Sequence, residues 1–229
     1  MMKNKNILVA LDTNLDSALE IAFKTKNYAY GFKIGMTLFN QIGQEGLKKF
    51  DNLNIPLFLD LKFYDAPSQV SKTIITFKDF KNIEFMTVHS MSSKEMLKEA
   101  VQAAKEINDK LFICAVTVLT TTNNLEDIGI KNSLEDQVKL LVNLAKSCGV
   151  QGVISSAQNI KLIRSLAGEN FKLICPGIRE KNKEQNDQKQ TVSYKQFNQL
   201  ANKNTFCVIG RPIYAYGDPE ENIKNIINS

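Results

Sequence analysis

A lysine stands between two carboxylates in a short segment that could do acid–base chemistry. The segment Asp60-Leu61-Lys62-Phe63-Tyr64-Asp65 comes directly after the apolar run Leu57-Phe58-Leu59. In an extended chain Asp60 and Lys62 point to the same side, because successive side chains alternate. Two unit charges about 4 Å apart attract by roughly 4 kcal/mol at an effective dielectric near 20, so flanking aspartates favour the ammonium form of Lys62. Lys62 is therefore a candidate proton donor.

Structural roles compete with this interpretation. Asp60 and Lys62 could form no more than a structural ion pair, although charges are rarely placed inside a protein core without a task. Asp65 precedes Ala66-Pro67, and an aspartate before a helix-opening proline is an ordinary N-cap. For Asp65 the cap and the catalytic role both stay open.

The hydrophobic pattern predicts the scaffold that must position these charges. Short apolar runs alternate with longer amphipathic stretches such as 96–107 and 134–145, which predicts a parallel sheet with helices on its outside. The candidate strands are 7–11, 30–34, 57–61, 84–88, 111–118, 151–154, 171–175 and 206–209. Eight strands indicate closure, so we expect an α/β fold in which residues 1–229 form a single-domain (β/α)8 TIM barrel.

Polar residues appear where the predicted strands end, and in a barrel these ends converge on one mouth. They are Asp12, Lys33, Asp60, Lys62, Asp65, His89, Thr120, Arg179, Gly210 and Arg211. Gly210 lets backbone N–H groups approach an anion closely and Arg211 adds a bidentate cation, which indicates a phosphate site, with a solvent-facing cation as the alternative. His89 could act as a base, but a neutral, hydrogen-bonded histidine is the preferred interpretation.

Composition narrows the class of protein. The 229 residues are 43% hydrophobic and carry 29 basic against 24 acidic side chains, without a basic stripe, which argues against a nucleic-acid partner. No run approaches the roughly 18 apolar residues of a membrane span. The N-terminal apolar run ends at Asp12, too early for a signal peptide. Four cysteines without metal-ligand spacing fit a reducing compartment, so we expect a soluble, cytoplasmic protein.

One segment is wholly polar. Residues 180–190 follow a predicted strand and the turn Pro176-Gly177. They should form a long loop on the face where barrel active sites lie, and we interpret this loop as a lid. A solvated connection without a role is the alternative.

Seven motifs in order resemble those of the orotidine 5'-phosphate decarboxylase family, nearly end to end. They are Val9-Ala10-Leu11-Asp12, Phe32-Lys33-Ile34-Gly35, the segment 60–70, Val116-Thr117-Val118-Leu119-Thr120, Pro176-Gly177-Ile178-Arg179, Asp187-Gln188-Lys189 and Val208-Ile209-Gly210-Arg211-Pro212-Ile213. The resemblance implies decarboxylation of orotidine 5'-phosphate to uridine 5'-monophosphate, with neither cofactor nor metal.

The resemblance also implies a role for each matching residue in the charged part of the site. Asp12 and Lys33 would contact the ribose and join a charge network. Asp60 would face the substrate carboxylate, and Lys62 would protonate the product carbanion. Asp65 would act in the site of the other subunit, which makes the enzyme a homodimer.

The remaining substrate contacts follow in the same way. Thr120 would contact the pyrimidine, and Gln188 would bridge the pyrimidine and the phosphate from the polar loop. Arg179, Gly210 and Arg211 would hold the phosphate.

The chain departs from the family pattern at three places. Asp65-Ala66-Pro67-Ser68-Gln69 stands where the family has Asp-Ile-Pro-Asn-Thr, so Gln69 replaces a threonine in the contact across subunits. Thr121 stands where serine is common and Tyr214 where threonine is common.

Two other functions stay in competition. The Asp-x-Lys-x-x-Asp pattern is shared with related sugar-phosphate barrel enzymes that use a metal at this segment. A nucleotide-binding barrel without catalysis is the second alternative, and Gln69 is the only sequence feature that favours it.

Overall fold

Eight parallel strands close into a barrel in the computed structural model, which describes residues 5–122, 124–179 and 192–229. Each strand pairs with the next in sequence, and β1 pairs with β8. The strands are β1 Ile7–Ala10, β2 Gly31–Gly35, β3 Leu57–Phe63, β4 Ile83–His89, β5 Phe112–Val116, β6 Gly152–Ile154, β7 Lys172–Cys175 and β8 Thr205–Ile209.

Helices lie between the strands and cover the outside of the barrel. They are α1 Leu15–Thr25, α2 Met36–Leu47, α3 Pro67–Ile75, α4 Lys94–Ile107, α5 Leu134–Ser147, α6 Ile160–Ala167, α7 Tyr194–Leu200, α8 Arg211–Tyr214 and α9 Pro219–Asn228. Short 3-10 segments occupy Lys48–Leu53, Glu126–Ile128 and Ala157–Asn159. Within the described residues, no helix combines the length and the apolarity needed to cross a membrane.

The predicted (β/α)8 barrel is confirmed. All eight predicted strands are present, and their bounds differ from the prediction by at most two residues. The apolar runs were informative because the strands of a covered parallel barrel are buried on both faces. The two predicted helical stretches lie within α4 and α5.

Aromatic side chains fill the interior of the barrel below its mouth. Phe85 lies 5.3 Å from Phe206 and 6.1 Å from Phe58, measured between ring centroids. All three rings are buried. Because Phe58 lies two residues before Asp60, the apolar filling ends where the charged side chains begin, and the polar groups gather at the carboxyl end of the strands.

The strand β3 does not pair regularly with β4. Leu59 stands opposite Met86, and Phe63 stands opposite Val88. Three residues of β3, 60–62, therefore face the single residue Thr87 of β4. Such a bulge bends a strand locally and is common beside active sites.

The guanidinium of Arg164, in α6, ties together the amino-terminal ends of β7 and β8. Its Nη1 donates to the carbonyl oxygens of Gly168 at 3.0 Å and Phe171 at 2.6 Å. Its Nη2 donates to Thr205 Oγ1 at 2.6 Å and to the Asn204 carbonyl oxygen at 3.3 Å. One side chain thus satisfies several backbone and hydroxyl acceptors at the end of the barrel opposite the charged residues.

Replacing Arg164 by methionine should lower the free energy of unfolding by about 3 kcal/mol, because the buried acceptors lose their donor. Urea unfolding followed by circular dichroism measures the change. Lys161→Met, at an exposed position of the same helix, is the matched control. Equal midpoints for the two variants would contradict the proposed role of the guanidinium.

Candidate active site

A cavity of about 390 Å³ opens at the carboxyl end of the strands. Its volume lies within the roughly 300–1,000 Å³ of typical small-molecule sites. Eight of the residues predicted from the sequence line this one cavity: Asp12, Lys33, Asp60, Lys62, Thr120, Arg179, Gly210 and Arg211. The barrel therefore brings together residues that are up to about 200 positions apart in the chain.

Four charged side chains of alternating sign run across one side of the cavity. Lys33 Nζ lies 2.9 Å from Asp12 Oδ1 and 3.9 Å from Asp60 Oδ2. Lys62 Nζ lies 2.9 Å from Asp60 Oδ1. The side chains of Lys33 and Asp60 are only 10% and 12% exposed, so each inner charge depends on a neighbour of opposite sign for its solvation.

Both carboxylates of this chain of charges are bound by lysine ammonium groups. Within the described ranges, no group of three or more His, Cys, Asp or Glu side chains is arranged to hold a metal ion. The donor set of this side of the cavity is therefore a network of ion pairs.

The backbone of Lys62 adopts the left-handed conformation, with φ at 52°. The expectation of an extended chain through Asp60 and Lys62 is therefore wrong at Lys62. Both side chains nevertheless line the cavity, because the bulge in β3 turns the lysine toward the mouth. Leu59 and Leu61 pack in the layer between strands and helices.

Gly35, at the end of β2, has no room for a side chain. A Cβ at this position would lie 2.8 Å from Lys33 Nζ and 3.0 Å from Asp12 Oδ1. The ion pair between these two residues thus occupies the space that a larger residue would need. The sequence alone does not indicate a role for Gly35, since the need for glycine follows from the path of the Lys33 side chain.

The wall formed after β8 contains Gly210, Arg211 and Tyr214. Gly210 is the N-cap of the short helix α8, and a Cβ on it would lie 3.5 Å from the Tyr214 hydroxyl oxygen. Burial, and secondly the charge of Asp12, raise the pKa of Tyr214. Tyr214 lines the cavity, so this departure from the family pattern changes the wall of the site itself.

Asp65 and Gln69 are exposed and do not line the cavity of their own chain. The N-cap of α3 is Ala66, without a side-chain hydrogen bond, so the cap hypothesis for Asp65 is wrong. Its Oδ1 instead accepts from the Ala66 N–H at 2.6 Å. A cap at Asp65 would require α3 to begin at Ala66, but α3 begins at Pro67. The Asp65 carboxylate therefore bonds the adjacent peptide N–H and not the first turn of the helix.

His89 lies at the end of β4 and is half-buried. Burial, and secondly the positive charge of Lys62, lower its pKa. Its Nδ1 accepts a hydrogen bond from the Met91 N–H at 3.3 Å, an arrangement that requires this nitrogen to be unprotonated. These contacts agree with the interpretation of His89 as a neutral, hydrogen-bonded side chain.

Gln188 and the polar loop 180–190 lie outside the described residues. The loop begins directly after Arg179, which lines the cavity. The proposed lid and the contacts of Gln188 therefore stay predictions.

Comparisons with known proteins identify the family of this chain. Residues 5–226 match the family described as "Orotidine 5'-phosphate decarboxylase / HUMPS family". The chain is 35% identical over 226 residues to an orotidine 5'-phosphate decarboxylase of Wolbachia pipientis, with 97% of each chain covered. It is also 35% identical over 225 residues to one of Legionella pneumophila, covering 96% of this chain and 97% of the relative.

Solved structures show the same fold. Orotidine 5'-phosphate decarboxylase from Lactobacillus acidophilus superposes with a TM-score of 0.82 at 26% identity, covering 99% of this chain and 98% of the other. The Methanocaldococcus jannaschii enzyme, crystallised with the inhibitor BMP, has a TM-score of 0.79 at 22% identity, covering 99% and 100%. The chain belongs to the orotidine 5'-phosphate decarboxylase / HUMPS family.

Proposed function

We propose that this protein decarboxylates orotidine 5'-phosphate to uridine 5'-monophosphate and carbon dioxide without a cofactor. The observation that carries the proposal is the alternating chain of Asp12, Lys33, Asp60 and Lys62 along one side of the cavity. Relatives at 35% identity over nearly the whole chain bear the name of this enzyme. The family alone would also admit other substrates, because its description names HUMPS as well.

The chemistry requires charge stabilisation at one carbon atom. When the bond between the pyrimidine carbon 6 and the carboxylate breaks, the electron pair stays on carbon 6, where no carbonyl is placed to delocalise it. The Lys62 ammonium would stabilise this developing charge and then transfer its proton to carbon 6, and solvent would return a proton to the amine. The ion pair with Asp60 at 2.9 Å holds the Lys62 ammonium at the cavity.

Asp60 would also face the carboxylate of the substrate. Its side chain is 12% exposed, and the substrate carboxylate would be placed beside a second, poorly solvated negative charge. Loss of carbon dioxide relieves that repulsion. Lys33 and Asp12 would bind the ribose hydroxyl groups next to this pair.

Phosphate would bind at the part of the cavity formed by the residues that follow β7 and β8. Arg211 offers a guanidinium for charge-assisted hydrogen bonds, and Gly210 leaves the backbone open to the anion. Arg179 lies on the same cavity, and Gln188 would reach the phosphate from the polar loop. Thr120 would contact the pyrimidine. Binding energy from the phosphate would help to order the site around the reacting carbon.

We propose further that the active form is a homodimer. Asp65 and Gln69 are exposed and do not line the cavity of their own chain, which suits a contact with the cavity of a partner. The neighbouring Tyr64 is 65% exposed, and aromatic side chains are enriched at interfaces. Gln69 can donate and accept hydrogen bonds as threonine does, with a longer reach.

We place the enzyme in the cytoplasm. Its four cysteines are free and buried, which suits a reducing compartment.

The reaction is tested by the loss of orotidine 5'-phosphate absorbance on mixing with purified protein in excess chelator. We expect rapid loss with formation of uridine 5'-monophosphate. Lys62→Ala should retain binding of uridine 5'-monophosphate but fall to near background turnover, because its proton donor is gone. Lys98→Ala, at an exposed position of α4, should behave like the native protein.

Other outcomes identify the alternatives. Turnover that requires added magnesium, or conversion of a keto-sugar phosphate instead, would indicate the metal-dependent sugar-phosphate enzymes. Nucleotide binding without turnover in a folded native protein would indicate the silent barrel. Retained turnover in Lys62→Ala would overturn the role of this lysine.

The phosphate assignment gives a second prediction. Arg211→Ala should lower kcat/KM for orotidine 5'-phosphate roughly 10- to 100-fold, the equivalent of losing one charge-assisted contact. The same variant should leave kcat/KM for orotidine, which lacks the phosphate, unchanged. Steady-state kinetics with both compounds measure the difference. An equal loss with both would show that Arg211 acts elsewhere than at the phosphate.

The dimer gives a third prediction. Lys62→Ala and Asp65→Ala should each be nearly inactive, but mixing and reassociating them should restore roughly a quarter of the native activity, because half of the dimers then contain one intact site. Turnover before and after exchange of subunits measures the effect. A mixture no more active than its components would place Asp65 in the cavity of its own subunit or outside catalysis.

A further inference from the structure

The hydroxyl of Thr87 contacts the backbone of Lys62 and the carboxylate that pairs with the Lys62 ammonium. Thr87 lies in β4 and is 0% exposed. Its Oγ1 accepts a hydrogen bond from the backbone N–H of Lys62 at 2.8 Å and lies 3.1 Å from Asp60 Oδ1. The same carboxylate oxygen accepts from Lys62 Nζ at 2.9 Å. Thr87, Asp60 and Lys62 thus form a closed ring of hydrogen bonds.

The direction of these bonds is fixed by the number of protons. A threonine hydroxyl has one proton to donate and lone pairs to accept with. Because Oγ1 accepts from the Lys62 N–H, which can only donate, its own proton is free to go to Asp60. The hydroxyl therefore donates to the same carboxylate oxygen that accepts from the ammonium of Lys62.

The bulge explains why a side chain must do this work. The residues 60–62 stand opposite Thr87 alone, so the regular ladder of backbone bonds is interrupted there. The backbone of Lys62 is also in the left-handed conformation, with φ at 52°. Residues with a Cβ adopt this conformation only when their surroundings require it. The Thr87 hydroxyl accepts the hydrogen bond of the Lys62 N–H, which has no backbone partner in the interrupted ladder.

We propose that Thr87 is a positioning residue for the decarboxylation, an inference that rests on the proposed function. Thr87 is buried behind the residues that line the cavity and acts through Lys62 and Asp60. It fixes the backbone of the lysine and the orientation of the carboxylate at the same time. The ammonium is thereby aimed at the reacting carbon before the substrate enters.

A structural role is separable from this one by two substitutions. Thr87→Val keeps the shape and the burial of the side chain but removes the hydroxyl. Thr87→Ser keeps the hydroxyl but removes a buried methyl group. Packing alone predicts that serine is the more harmful change, whereas positioning predicts that valine is.

The experiment measures kcat and KM for orotidine 5'-phosphate, together with the affinity for uridine 5'-monophosphate. For Thr87→Val we expect kcat to fall roughly 10- to 100-fold while KM and product affinity change by less than about 3-fold, because a small misplacement of a catalytic group mainly slows chemistry. Thr87→Ser should keep kcat within about 3-fold of native. Thr25→Val, which removes a fully buried hydroxyl in α1, should leave kcat unchanged.

The measured values of kcat either support or overturn the positioning role of Thr87. A native kcat in Thr87→Val, or a larger loss of kcat in Thr87→Ser, would overturn the inference while leaving the proposed function intact. An inactive native protein would overturn the proposed function and this inference with it. Should the valine variant fail to fold, Thr87→Cys gives the same test, since a thiol of similar volume is a weaker donor and acceptor, and a smaller drop in kcat is then expected.

Discussion

Ion pairs let charged side chains stand in a nearly enclosed part of the barrel, where water can reach them only poorly. Lys33 and Asp60 are almost enclosed, and each is paired with a neighbour of opposite sign that replaces part of the lost water. The ends of the chain of charges, Asp12 and Lys62, are more open to the cavity. The protein thereby keeps an ammonium group and a carboxylate available to a ligand while the inner pair holds them in place. The strand ends, the glycine at the end of β2 and the bulge in β3 all serve this arrangement.

The scaffold could be predicted because its signal is local. A strand covered on both faces must be apolar at consecutive positions, so each run marks a strand by itself. Once eight such runs are placed in a barrel, the residues that follow them must share one mouth. This reasoning placed Thr120, Arg179 and Arg211 around a common cavity, although they come from different parts of the chain.

The details of the site could not be predicted in this way, because they depend on the register between neighbouring strands. The local sequence does not predict that the backbone of Lys62 is in the left-handed conformation. It also does not predict that Thr87 stands opposite three residues of β3. The cap hypothesis for Asp65 failed because Pro67 takes the first position of α3, which makes Ala66 the N-cap. The requirement for glycine at position 35 likewise arises from a side chain that crosses over it. The hydrophobic pattern of the sequence predicts which residues are buried. The conformation of Lys62, the bulge in β3 and the glycine at position 35 depend instead on the contacts between neighbouring elements.

The placement of Arg164 affects which substitutions this fold can accept during evolution. It binds the strands at the amino-terminal end, whereas the charged side chains lie at the carboxyl end. Substitutions in the mouth can therefore alter which ligand is bound without loosening the clamp on the far side. A barrel organised in this way tolerates substitutions at the carboxyl end of its strands. This tolerance fits a family whose name joins orotidine 5'-phosphate decarboxylase with HUMPS.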